Sequence, residues 1–148
     1  MEIADDARID CSEERLNLVK GMYKACDDTR ADDYAGYFRE DSRFRWGNLD
    51  AVEGPEAIAS FVGNFFGDIE TLDHTFTGVY EADLTDTLDK PDEDGDCVAT
   101  LVLESVVTYT LLDGGEVDVP ATTALDVDAS DAVAEARVYV DTSPVYEA

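Results

Sequence analysis

Apolar residues recur at two periods along the chain, and the change from one to the other divides it. Leu16, Val19, Tyr23 and Cys26 fall at helical spacing, with Met22 on the flank. Asp27-Asp28-Thr29 ends that helix. A short second helix follows, with Tyr34, Tyr37 and Phe38 on one side and Asp32 as its expected N-cap. Arg43-Phe44-Arg45-Trp46 alternates charged and aromatic residues and reads as a strand. Gly54-Pro55-Glu56 opens a third helix, because proline suits the first helical position and an acid complements the dipole there. Ile58, Phe61, Val62 and Phe65 give that helix a wide apolar stripe; Gly63 and Gly67 mark close packing or its end.

Beyond that helix the pattern shifts to strands. Leu72 to Leu84 is the first, and Cys97 to Leu112 is a long β-branched run. Gly114-Gly115 makes a hairpin turn. Val117 to Val127 alternates, with Pro120 marking an edge or a bulge. Ala132 to Val140 closes the series after a turn at Asp128 to Asp131. By period two, His74, Phe76, Gly78 and Tyr80 share one face. The order is helix, helix, strand, helix, then four strands joined by hairpins. That is an α+β arrangement with helices gathered on one face of a mainly antiparallel sheet. No repeat or linker interrupts it, so residues 1–148 read as one domain, a usual size.

Charge changes the picture of the surface. The chain carries 36 Asp and Glu against 10 Lys and Arg, a formal charge of −26, and its only lysines are Lys20, Lys24 and Lys90. Phosphate binding needs clustered basic residues, so nucleic acid is excluded as a partner, and an anionic membrane surface with it. The acids are spread along the whole chain. Their repulsion strains a compact state at low salt, whereas molar salt shortens the Debye length to about 3 Å. The reading is an acidic exterior adapted to a salt-rich, halophilic cytoplasm.

Glu81 to Asp96 is the densest acidic stretch, with eight carboxylates and one lysine. Its Asp92-Glu93-Asp94-Gly95-Asp96 segment has the look of a calcium loop. With Gly95 at the sixth position, however, the loop would begin at Lys90 and end at Leu101, which supplies neither terminal ligand. It reads as an acidic hairpin loop, and no metal site is expected. Cys11, Cys26 and Cys97 form no paired motif, and one histidine makes a Cys/His zinc site improbable. Reduced thiols fit a cytoplasmic compartment. Met1 to Asp10 lacks the apolar core of a signal peptide, and no apolar run reaches the ~18 residues of a membrane span.

Three motifs in order resemble the nuclear transport factor 2-like superfamily, and within it the SnoaL-like polyketide cyclases. They are Tyr37-Phe38-Arg39-Glu40-Asp41, Glu53-Gly54-Pro55-Glu56-Ala57-Ile58 and Arg137-Val138-Tyr139-Val140-Asp141. The resemblance implies a cone in which a strongly curved sheet wraps three helices around a deep pocket, and homodimers through the sheet's outer face. It spans enzymes and binding proteins alike, so fold alone does not choose a function. The limonene-type epoxide hydrolases resemble the chain near Glu104 and Asp141. Where they place an arginine and an aspartate, this chain carries Ser105 and Val107, so their triad is incomplete. Ketosteroid isomerase has its base near the position of Trp46.

His74 is the one histidine, and SnoaL-like proteins place a histidine near this point, facing the cavity. An imidazole moves a proton either way near neutral pH. Asp141 ends the last strand, where the resemblance implies an acid pointing into the pocket. The candidate catalytic pair is Asp141 as acid/base with His74 as its partner or as oxyanion donor. The alternative for Asp141 is a turn cap or a partner for Arg137. Trp46, Tyr109 and Tyr139 are candidate pocket walls, suited to flat apolar ligands. Glu104, inside an apolar strand, must face solvent, pair with arginine or line the pocket. Three functions stay open: a cofactor-free cyclase or isomerase acting on a small carbonyl or polycyclic compound, a binding module without chemistry, and a dimeric scaffold.

Overall fold

The computed structural model describes residues 1–85 and 96–147. In chain order its elements are β1 (Glu2–Asp10), α1 (Glu13–Asp27), α2 (Ala31–Ala35), β2 (Phe38–Trp46), β3 (Val52–Glu53) and α3 (Pro55–Phe66). These are followed by β4 (Ile69–Asp83), β5 (Cys97–Leu111), β6 (Glu116–Asp128), β7 (Val133–Val140) and α4 (Ser143–Glu147). One seven-stranded sheet has the order β1-β4-β5-β6-β7-β2-β3. It is antiparallel except where β1 meets β4 and β2 meets β7. The α+β architecture and the four long strands are those the sequence pattern predicts. β1, β3 and α4 are additions. Of the acidic Asp92-to-Asp96 segment, only Asp96 lies within the described residues. No helix among the described residues is long and apolar enough to cross a membrane.

Local chemistry sets the helix ends. The Ser12 side chain accepts from the Arg15 backbone N–H, and Glu13 and Glu14 occupy the first turn of α1. At the other end Thr29 takes a left-handed conformation, φ 56. Its N–H reaches the Cys26 carbonyl at 2.9 Å, and the Arg30 N–H reaches the Ala25 carbonyl at 2.9 Å. This is a Schellman closure, and it makes Asp27 the last helical residue. The N-cap of α2 is Arg30, not Asp32, which sits in the first turn. The closure of α1 takes up the residues between the two helices and starts α2 early.

The helices lie on the inner face of the sheet. Val19 and Met22 from α1 and Ile58 from α3 pack with Phe44, Phe76, Leu101, Leu103 and Leu125 in one core. Each such side chain contributes roughly 1.5–3 kcal/mol by leaving water. A second core joins Phe65, Leu72, Val107, Tyr109 and Val119 to Val145 of α4. Pro120 lies on β6 one residue beyond the last pair with β7, Ala121 with Val140. On that side it is a local edge, where a missing N–H costs no ladder bond.

A bulge breaks the period-two reading of β4. Phe76 pairs with Ser105, but Gly78 pairs with Glu104, so Thr77 is an extra residue. Beyond it Val79, fully buried, takes the inner face, and Gly78 and Tyr80 turn outward. Tyr80 folds over Gly78: a Cβ on that glycine would sit 2.7 Å from the Tyr80 ring and 2.9 Å from Glu104 Oε1. His74 and Phe76 therefore share a face, and Gly78 and Tyr80 do not belong to it.

Candidate functional site

The site begins where α1 ends. The Schellman closure presents Asp27 to the edge of β4, with its side chain 7% exposed. Asp27 Oδ1 accepts from His74 Nδ1 at 2.6 Å, and Oδ2 accepts from the His74 backbone N–H at 2.9 Å. The Met1 amino group lies 3.1 Å from Asp27 Oδ2 and 3.1 Å from Asp73 Oδ1. Burial alone would push the Asp27 carboxyl up. The hydrogen bonds and charge of His74, with the amino group, outweigh it and hold Asp27 below the ordinary carboxylate range. A charged Asp27 requires the proton on His74 Nδ1, which leaves Nε2 as the ring nitrogen open to the cavity. The imidazole is fixed further by a T-shaped contact with Tyr23 at 4.8 Å and by stacking on Phe76 at 5.8 Å.

His74 lines an inner cavity with Tyr23, Cys26, Trp46, Phe65 and Tyr109. Its volume is about 30 Å³, room for about two water molecules. The expected deep pocket is thus largely filled by aromatic side chains. Burial, with neighbouring Asp27 adding to it, pushes the Cys26 thiol well up, and burial does the same to the Tyr23 and Tyr109 phenols. All three stay protonated near neutrality, so they serve as donors rather than nucleophiles. Cys26, Asp27 and His74 bring three potential metal-donor atoms within 4.8 Å of one another. Both Asp27 oxygens are already engaged, by His74 and the Met1 amino group, and the thiol holds its proton.

A wider vestibule of about 560 Å³ lies outside this cavity, sharing Trp46, Phe65 and Val140 with it. The Trp46 and Phe65 rings, 5.0 Å apart, stand between the two spaces. Asp141 belongs to the vestibule. Its Oδ1 accepts from the Ser143 backbone N–H at 3.0 Å and from the Ser143 hydroxyl, which caps the start of α4. These bonds hold the Asp141 carboxyl below its ordinary range. Across the vestibule the Tyr146 hydroxyl donates to Asp68 Oδ2 at 2.9 Å.

The sequence-derived candidates are therefore divided. Trp46, Tyr109 and His74 line the inner cavity. The expected pairing of His74 with Asp141 is corrected: His74 pairs with Asp27, and Asp141 caps α4 in the adjoining space. Tyr139, 59% exposed, alternates with the inward Val138 and Val140 and so points outward. Glu104 alternates with inward Leu103 and Ser105 and hydrogen-bonds Tyr80 on the outer face. Neither lines the cavity. In the sequence Asp27 reads as part of a helix-breaking Asp27-Asp28-Thr29 run rather than as a site residue. Its signal was an acid four residues after Tyr23, on the apolar stripe of α1.

The family model described as the SnoaL-like domain matches residues 8–126. The chain belongs to the SnoaL-like domain family. Among solved structures, a protein of ketosteroid isomerase-like fold from Catenulispora acidiphila, in complex with trimethylamine, is similar at a TM-score of 0.68 and 18% identity, covering 86% of this chain and 88% of its own. A protein from Shewanella denitrificans assigned to the SnoaL-like polyketide cyclases gives 0.66 at 15% identity, covering 92% and 96%. A limonene-type epoxide hydrolase from M. tuberculosis gives 0.64 at 13% identity, covering 90% and 87%. No curated protein sequence matches the chain significantly. In this SnoaL-like domain the inner face of β5 presents Ser105 and Val107, both buried, at the positions compared above with the epoxide hydrolases.

Proposed function

We propose that this SnoaL-like domain is a cofactor-free acid/base enzyme of the cyclase or isomerase kind, acting on a small carbonyl compound. The observation that carries the reading is the His74–Asp27 pair on the wall of an aromatic cavity. His74 Nε2 takes a proton from the carbon next to the carbonyl, and the imidazolium that forms is stabilised by Asp27. Returning the proton at another position completes an isomerisation or a ring closure. Tyr109, kept neutral, donates to the carbonyl oxygen as it gains charge. Only the reacting edge of a substrate fits the inner space, so its body lies in the vestibule, and the Trp46 and Phe65 rings part to admit it. The Catenulispora complex with trimethylamine supports small-ligand binding by this fold.

A panel of small ketones and polyketide-like aromatics tests the reading, with Trp46, the one tryptophan, reporting binding by fluorescence. A ligand that binds and is turned over, with turnover lost in His74→Ala but binding retained, supports chemistry. Binding with unaltered turnover in His74→Ala overturns it. The second reading, a binding module without chemistry, is favoured by the contrast between the vestibule and the small inner cavity. It predicts tight binding with no turnover by the intact protein. Either form is proposed to dimerise through the outer sheet face at β5, where Val106 is exposed, and to work in a reducing, salt-rich cytoplasm.

A further inference from the structure

Arginine is scarce in this chain, seven residues against 36 acids, yet three of the seven line one groove. Arg43, Arg45 and Arg137 border a space of about 460 Å³ on the outer face of the sheet, together with Asn48, Glu135 and Tyr139. The register of β2 with β7 sets Arg43 opposite Glu135 and Arg45 opposite Arg137. Two guanidiniums directly across a strand pair repel each other. Their presence here is unexpected in a sequence that places acids almost everywhere else.

The nearby carboxylates do not neutralise the three charges equally. Arg137 Nη1 donates to Asp126 Oδ2 at 2.7 Å, Nη2 reaches Asp126 Oδ1 at 3.3 Å, and Glu135 lies 3.4 Å from Nη1. Those bonds fix Arg137 and raise its basicity further. Glu53 of β3 stands opposite Arg43 on its other side. Among the described residues, neither Arg43 nor Arg45 has a carboxylate oxygen within 4.0 Å. Arg45, with arginine opposite on β7, is the least compensated cation of the groove.

We infer that this groove binds the oxyanion end of a small molecule, a carboxylate or phosphate group, with Arg45 and Arg43 as its direct ligands. A planar guanidinium matches such groups with two parallel hydrogen bonds. The strand pair and the Asp126 clamp on Arg137 hold the donors before the ligand arrives, which lowers the cost of binding. A polyanion does not fit, because the surrounding acidic surface repels every phosphate beyond the groove. In molar salt, attraction beyond about 3 Å is screened, so direct contact decides. This site is separate from His74 and does not depend on the catalytic reading.

Titration of inorganic phosphate, and separately of acetate, at constant ionic strength tests the inference. Trp46, next in sequence to Arg45, is the fluorescent reporter, and arginine side-chain NMR signals are the second readout. Saturable binding of at least one anion is expected, weakened about tenfold or more in Arg45→Gln (one bidentate contact, about 1.4 kcal/mol) and unchanged in Lys20→Gln. Both side chains are exposed, so the folded state is kept. No saturable response to either anion, or the same affinity in Arg45→Gln, overturns the inference. So does light scattering in which Arg45→Gln turns a dimer into a monomer, since carboxylates of a second copy would then be the occupant.

Discussion

Asp27 holds His74 at two points, accepting from the ring Nδ1 at 2.6 Å and from the backbone N–H at 2.9 Å. One carboxylate thereby sets both the position and the tautomer of the chain's single imidazole. Asp27→Asn keeps the shape but loses the charge and at least one acceptor. The expected cost is about 1–3 kcal/mol, read from the urea midpoint in molar salt. Nitrogen-15 NMR of the single histidine checks the tautomer directly. In the neutral ring of the parent protein the proton resides on Nδ1; in the variant this preference weakens. An Nε2-protonated ring in the parent protein would refute the assignment.

The same pair gives a pH dependence. The Asp27 carboxyl is held below its unfolded value of 3.8. A depressed acid adds stability that is fully present above the unfolded value and is lost as the pH falls through the folded one. The stability difference between the parent and Asp27→Asn should shrink as the pH drops below 3.8. The other paired acids also lose their contributions there, which is why the difference between two proteins is the useful quantity. A difference that persists unchanged at pH 2 would show that the charge of Asp27 contributes nothing.

Phe65 separates the inner cavity from the vestibule and is itself in the second core. Phe65→Ala removes a largely buried ring, so the loss expected is about 3–5 kcal/mol, measured by chemical unfolding. The same change joins the two spaces. Small aromatic compounds such as indole should then raise the unfolding midpoint of the variant and leave that of the parent nearly unmoved. If neither protein responds to such compounds, the ring does not gate the cavity.

The α+β order was legible because it rests on periods that side-chain burial enforces. Val19, Tyr23, Ile58 and Val62 fall on helix stripes, and Leu101, Leu103, Val107 and Tyr109 on one strand face. What failed was parity and partnership. One extra residue, Thr77, moves Gly78 and Tyr80 to the opposite face, and the isolated Gly78 inside the strand is its sequence signal. β1 escaped notice because Glu2 to Asp10 is mostly polar, an edge strand held by parallel pairing with β4 rather than by a buried face. The His74–Asp27 pair joins residues 47 positions apart. Its acid is one of 36 spread along the chain. Glu104 and Tyr139 have the chemistry of a pocket wall, but each alternates with buried neighbours along its strand, which puts both on the outer face.

Salt should act on the whole molecule through the net charge of −26. At 0.1 M salt the Debye length is about 10 Å, long enough for neighbouring surface acids to repel one another; at 1 M it is about 3 Å. The urea midpoint should therefore rise steeply between 0.1 M and 1 M KCl and flatten above that. Arg137 and Asp126 are paired by contact and partly buried, so Arg137→Gln should lose less of its cost to added salt than the loss of an exposed pair would. Replacing exposed neighbouring acids such as Asp5 and Asp6 on β1 by asparagine should raise stability at 0.1 M and change it little at 1 M. A midpoint that is flat or falls with added KCl would mean that the acidic surface is no adaptation to salt.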